Sequence, residues 1–406
     1  MLAAGDYDGL RNVLDWASSL IPLLSARSEL LLPEKTAGIY TTETVTAFGL
    51  FQQAEYQCGA RPAGYPAWLE NSGWVQYDFG GNAMGPEVGL MALDYFAHTG
   101  DAAAAAVYIP LATKTLDFYM GHYANRTADG TFVLWPTQVL ETFWCAWPGT
   151  AACCVNDLPQ VAALRMLTAR VLALPAASGL LTPAQRAAYA AFAAILPELP
   201  RAAGGATYAA AEVLSGGGHN SEGPTLFATH PFRLETVGAA AADARVNLTT
   251  AIATWRGNSW FKGNAGWVYG GMSAALLGLV PEAYDMVLDR AALAPAPGYR
   301  FPVFAPHLQD YEPSADHFAN MLTALQFTLL QTGEDGFGAG TIVLLPAWPC
   351  AVDVSFKLHA AQATTVEVVY AGGKLVSLAV DPPARAGAVA FANCVSREEA
   401  ARALAA

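Results

Sequence analysis

The hydrophobic period of this chain changes once, near Gly338, and that change limits the folds open to it. Up to about residue 335 apolar residues recur at three-and-four spacing, the period of an amphipathic helix. Leu10, Val13, Leu14, Ala17, Leu20, Ile21 and Leu24 share one face of a stretch predicted helical over 6–27. The pattern returns over 86–98, through Leu90, Leu93 and Ala97, and over 101–122, with Thr99-Gly100 between them as C-cap and turn. Further helices are expected at 157–173, 182–198, 235–253, 264–278, 281–293 and 316–331. Thr182-Pro183 reads as an N-cap with proline at the first helical position. In the last helix Phe318, Met321, Leu322, Leu325 and Leu329 form one face. After Gly338, Thr341–Leu345, Val352–Leu358, Thr364–Tyr370 and Leu375–Val380 are strand-like, and Ala371-Gly372-Gly373-Lys374 signals a hairpin.

A mainly α fold follows. Paired helices with chemistry in their connecting loops suggest an (α/α)6 toroid over residues 1–337, then a small antiparallel β domain over 338–395 and a tail at 396–406. Eight tryptophans (68, 74, 135, 144, 147, 255, 260 and 267) are expected in loops at one rim. There they can stack on sugar rings or simply plug the ends of the helices.

Composition narrows the function. Charged residues are only 14% of the 406, and hydrophobic ones 54%, much of the excess being alanine, which favours helix without demanding deep burial. No apolar run approaches the ~20 residues of a membrane span, so no membrane partner is expected. A net charge of −13 argues against nucleic acid, whose phosphates call for a basic face, and favours a neutral sugar over an anionic polysaccharide. Cysteines 58, 145, 153, 154, 350 and 394 lack metal-ligand spacing, so no metal or cofactor is expected and disulfides are left open. Residues 1–10 carry Asp6 and Asp8 and do not form a signal peptide. The triplets Asn125-Arg126-Thr127 and Asn247-Leu248-Thr249 lean towards a secretory or extracellular setting for a longer parent protein.

Two carboxylates stand in distinctive runs: Trp135-Pro136-Thr137-Gln138-Val139-Leu140-Glu141-Thr142 and Glu312-Pro313-Ser314-Ala315-Asp316-His317. A glycosidase needs such a pair, one carboxyl to protonate the leaving oxygen and one to activate water. Apolar neighbours of Glu141 (Val139, Leu140, Phe143, Trp144) would help an acid keep its proton; the alternative is a structural Glu bonded to loop amides. Asp316 precedes a helix and also fits an N-cap. Trp135, Trp144, Gln138, His317, Asn220 and Glu222 complete the set of candidate sugar contacts.

With these residues the chain resembles glycoside hydrolase family 95, the inverting α-L-fucosidases of the six-hairpin glycosidase type, and its relatives. Pro136 stands five residues before Glu141, and Asp316 fifteen before Gln331, spacings that the family uses around its general acid and its catalytic Asp. Leu344-Leu345-Pro346-Ala347-Trp348-Pro349, Phe356-Lys357-Leu358-His359-Ala360 and Gly373-Lys374-Leu375 resemble the β domain of the relatives. The resemblance implies an inverting, exo-acting α-glycosidase acting on an oligosaccharide or polysaccharide. Glu141 would be the acid and Asp316 would assist water activation across ~6.5–9.5 Å. Two departures stand out. His219-Asn220-Ser221-Glu222, leading to Pro231, replaces the family's histidine-rich sugar-binding loop. The family's water-activating asparagines would fall before Met1, so the chain is expected to be a truncated form with weak or no activity. Two other readings remain: a non-catalytic carbohydrate-binding remnant, and a polysaccharide lyase on the same toroid, against which the scarcity of Lys and Arg in the loops counts.

Overall fold

The computed structural model describes residues 1–32, 34, 37–41, 45–49, 85–143, 145, 153–215, 218, 222–258, 268–292, 316–333, 340–396, 398–400 and 402; for 316–318 it describes the backbone. Its contacts divide the chain into two compact units, Tyr7–Phe232 and Arg233–Ala406 together with Met1–Asp6.

In the unit Tyr7–Phe232, α1 (Tyr7–Ser19) buries Leu10, Leu14 and Ala17. The single helix expected over 6–27 is broken: α2 (Ile21–Leu31) starts afresh with Pro22 in its first turn, where a proline lacks the N–H that continuity would need. Next come α3 (Pro86–Thr99) and α4 (Ala102–His122), an antiparallel pair. Gly100, at φ 66°, donates its N–H to the Phe96 carbonyl and ends α3, while the Asp101 carboxylate accepts from the Ala104 N–H and starts α4. Gly89 lets the pair close up, since a Cβ there would lie 3.0 Å from the Ala112 Cα. Strand β1 (Val155–Asp157) leads directly into α5 (Leu158–Leu172), which is buried along most of its length. The Arg170–Asp94 ion pair, 3.0 Å long with Arg170 buried and Asp94 partly so, fastens α5 to α3. α6 (Pro183–Ile195) opens with the anticipated cap, a reciprocal one: Thr182 accepts from the Gln185 N–H and Gln185 accepts from the Thr182 N–H. Tyr189 of α6 donates to Asp117 of α4 at 2.9 Å. β2 (Ala211–Val213) pairs antiparallel with β1.

In the other unit, the helix expected over 235–253 is two, α7 (Val237–Ala242) and α8 (Thr249–Gly257). Between them polar side chains take the bonds that a helix would use. Asp243 accepts from the Arg245 N–H and guanidinium, and Asn247 accepts from the Thr249 N–H. Trp255, expected in a rim loop, is buried within α8 and donates to the Gly270 carbonyl. α9 (Gly270–Leu276), α10 (Val280–Ala291) and α11 (Asp316–Leu329) pack together around Met272, Val287 and Ala324.

The last helix stops sooner than expected. Leu330 and Gln331 belong to β3 (Leu330–Thr332), antiparallel to β4 (Ile342–Leu344). The buried Gln331 side chain joins α7, α9 and α11 by accepting from the Gly238 N–H and donating to the Ala275 and Phe327 carbonyls. β5 (Val354–Ala360), β6 (Thr364–Ala371) and β7 (Lys374–Asp381) form the expected antiparallel meander. The turn between β6 and β7 uses Gly372 and Gly373, both at positive φ. One strand departs from an all-antiparallel domain: β8 (Val389–Phe391) runs parallel to β4. A helical portion is thus followed by small sheets, and the period change near Gly338 falls inside the second unit.

Candidate active site

The run around Glu141 follows α4 as a loop laced to β1. Leu134 and Asn156 exchange two bonds, from the Leu134 N–H to Asn156 Oδ1 and from the Asn156 N–H to the Leu134 carbonyl. Thr137 and Cys154 exchange backbone bonds in both directions. Trp135-Pro136 is a cis peptide, and the Pro136 carbonyl accepts from the hydroxyl of Tyr123, the residue that follows α4. The chain then reverses tightly. Val139 and Phe143 pair across a turn in which Leu140 has φ 48°, a conformation that a branched side chain rarely adopts.

Two side chains hold this turn. Gln138, fully buried, donates to the Leu140 carbonyl at 2.7 Å and accepts from the Cys145 N–H at 3.2 Å. Its amide is committed to the backbone of the loop, which suits it to shaping the turn. Glu222, 8% exposed, accepts on one oxygen from the Glu141 N–H at 2.9 Å and from the Thr142 hydroxyl at 3.0 Å. Glu141 itself, at the tip, is partly exposed, and Trp135 is exposed.

Beneath the turn lies a buried polar network that sequence reasoning missed. Thr137 donates to Asp157, and Gln160 donates to both Thr137 and Asp157. Tyr119 of α4 donates to Gln160, and Asp157 also caps α5 through the Gln160 N–H. Burial pushes the Asp157 carboxyl up to about 7, against the pull of the Thr137 and Gln160 hydrogen bonds. Its only readable trace is Asp157-Leu158-Pro159-Gln160, a cap signal with no hint of Thr137. A disulfide joins Cys145 to Cys153, so the end of the loop is tied to the residue before its ladder partner. Cys154 keeps a buried thiol, which burial pushes up to about 11.

Of the other candidates, Trp144 and Asn220 lie outside the described residues. Asp316 and His317 open α11, their side chains likewise outside, and they belong to the other unit from Glu141. The structure therefore brings Gln138, Glu141 and Glu222 together at one turn, with Trp135 earlier in the same loop. No helix among the described residues is long and apolar enough to cross a membrane. No protein-family model matches this chain, and no curated protein matches it.

Proposed function

We propose that this chain is the catalytic body of an inverting, exo-acting α-glycosidase of α-L-fucosidase type. The observation that supports this most is a contrast within one loop. Thr137, Gln138 and Thr142 are fully buried, bonded to Asp157, the Leu140 carbonyl and Glu222 respectively, while Glu141 at the tip is partly exposed. A proton donor for a departing glycosidic oxygen must be accessible, yet carried on a rigid support.

In the proposed reaction Glu141 protonates the leaving oxygen while water attacks the anomeric carbon from the opposite face, releasing a sugar of inverted configuration. Asp316 has the role of activating that water by accepting the proton it sheds, on the strength of its spacing from Gln331, with His317 beside it in sequence. Trp135, with Trp144 and Asn220, contributes sugar contacts. The paired-helix pattern of the sequence supports an (α/α)6 toroid, and the two disulfides favour an oxidising, secretory setting.

The test is Glu141→Gln, which keeps the shape of the side chain but has no proton to give. Hydrolysis of an alkyl α-L-fucoside should fall by about 10²–10⁴-fold. The loss should shrink on an activated aryl fucoside, whose oxygen departs unaided. Equal losses on both substrates would remove Glu141 from the acid role. Binding of fucosides without hydrolysis by the unaltered chain would leave a carbohydrate-binding protein instead.

A further inference from the structure

We propose that Glu222 is the positioning residue of Glu141, a role that rests on the reading of Glu141 as the acid. The contact lands on the acid's own peptide unit: the Glu222 carboxylate accepts the Glu141 N–H from 81 positions away in sequence, and with the same oxygen the Thr142 hydroxyl. Both bonds fall directly after Leu140, the residue at φ 48°, a conformation uncommon outside glycine. Charge-assisted acceptors form the stronger hydrogen bonds, so a carboxylate is suited to holding this backbone in place.

A second tie runs in parallel. Phe143 pairs with Gly218, four positions before Glu222 in sequence, so residues 141, 142 and 143 are each tied to Glu222 or Gly218. The Cα–Cβ direction of Glu141 cannot swing without breaking a Glu222 bond. Thr142, fully buried, extends the grip to the next residue. Glu222 thus sets where the acid's proton is presented, without itself touching the sugar.

The experiment compares Glu222→Ala, Glu222→Gln and Thr142→Val. Glu222→Ala leaves both donors unanswered, whereas Glu222→Gln keeps an oxygen that can accept from them. Thr142→Val removes one donor and serves should the alanine variant fail to fold. On an alkyl α-L-fucoside, Glu222→Ala should lower kcat by about a hundredfold with little change in KM, the scale of an ångström of misplacement. The loss should shrink on an activated aryl fucoside, and the glutamine variant should recover most of it. Hydrogen–deuterium exchange in peptides spanning Glu141 should quicken in the alanine variant and remain near normal in the glutamine one. A rise in KM on both substrates at unchanged kcat would assign Glu222 to sugar binding and overturn the proposal, as would unchanged exchange in folded Glu222→Ala. Should the unaltered chain hydrolyse neither substrate while the exchange result holds, the glycosidase reading fails and the anchoring of the turn by Glu222 stands.

Discussion

Asp157 does two things at once: it caps α5 and it receives the hydroxyl of Thr137, which lies on the loop that carries Glu141. Its carboxyl titrates near 7 in the folded chain because burial outweighs the donors around it, whereas an exposed aspartate titrates near ~3.9. Between those values the folded protein binds the proton more firmly than the unfolded one does. The stability this contributes is fully present below the lower value and is lost as pH rises through the higher. The urea midpoint should therefore fall between about pH 4 and 7, and Asp157→Asn should flatten that fall. A slope unchanged in the asparagine variant would place the titration elsewhere. The residue scale is also where the sequence says least. Glu141 and Asp316 stand out by their neighbours, but nothing near Glu222 in the chain shows that it binds the Glu141 amide. Likewise Asp157 reads as a helix cap and no more. Contacts between residues tens of positions apart depend on a fold that a single sequence encodes only collectively.

Among the elements, those governed by local chemistry were readable, and those governed by distant pairing were not. The reciprocal Thr182–Gln185 cap, the Gly100 helix end and the Gly372-Gly373 hairpin each rest on residues within a few positions of one another. By contrast, the helix expected over 316–331 takes in Leu330 and Gln331, yet β4 captures them as a strand, a tertiary choice that propensity does not reveal. The three-residue β8 is too short for alternation to show. Where α7 meets β3, sequence constraint is strict. A Cβ on Gly238 would lie 2.4 Å from the Thr332 carbonyl oxygen, which is backbone and cannot rotate away. Gly238→Ala should therefore destabilise by about 1–3 kcal/mol or more, read from the urea midpoint. Gly257→Ala, at the end of α8 with open space around the position, is the control and should be neutral or slightly stabilising.

Across the whole molecule, two compact units predict two unfolding transitions. The Cys350–Cys394 disulfide closes a 44-residue span within the unit that holds the sheets, and removing it widens the unfolded ensemble of that unit. The double variant C350S/C394S should lower one transition by about 2–4 kcal/mol and leave the other in place, as calorimetry would show. Movement of both transitions together would mean that the chain unfolds as one. The unit that contains Met1–Asp6 also contains Arg233–Ala406, and within it Ala3 packs on the core around Leu358. A Cβ at Gly5 would meet the ring of His359 at 2.7 Å. Residues 1–6 thus find these neighbours only when β5 has left the ribosome. At translation speeds of about 5–20 residues per second, that delay is roughly 20–70 s. Through that interval Tyr7–Phe232 can fold as it emerges, while the six residues ahead of it wait for a strand not yet made. The order of synthesis is therefore not the order of assembly.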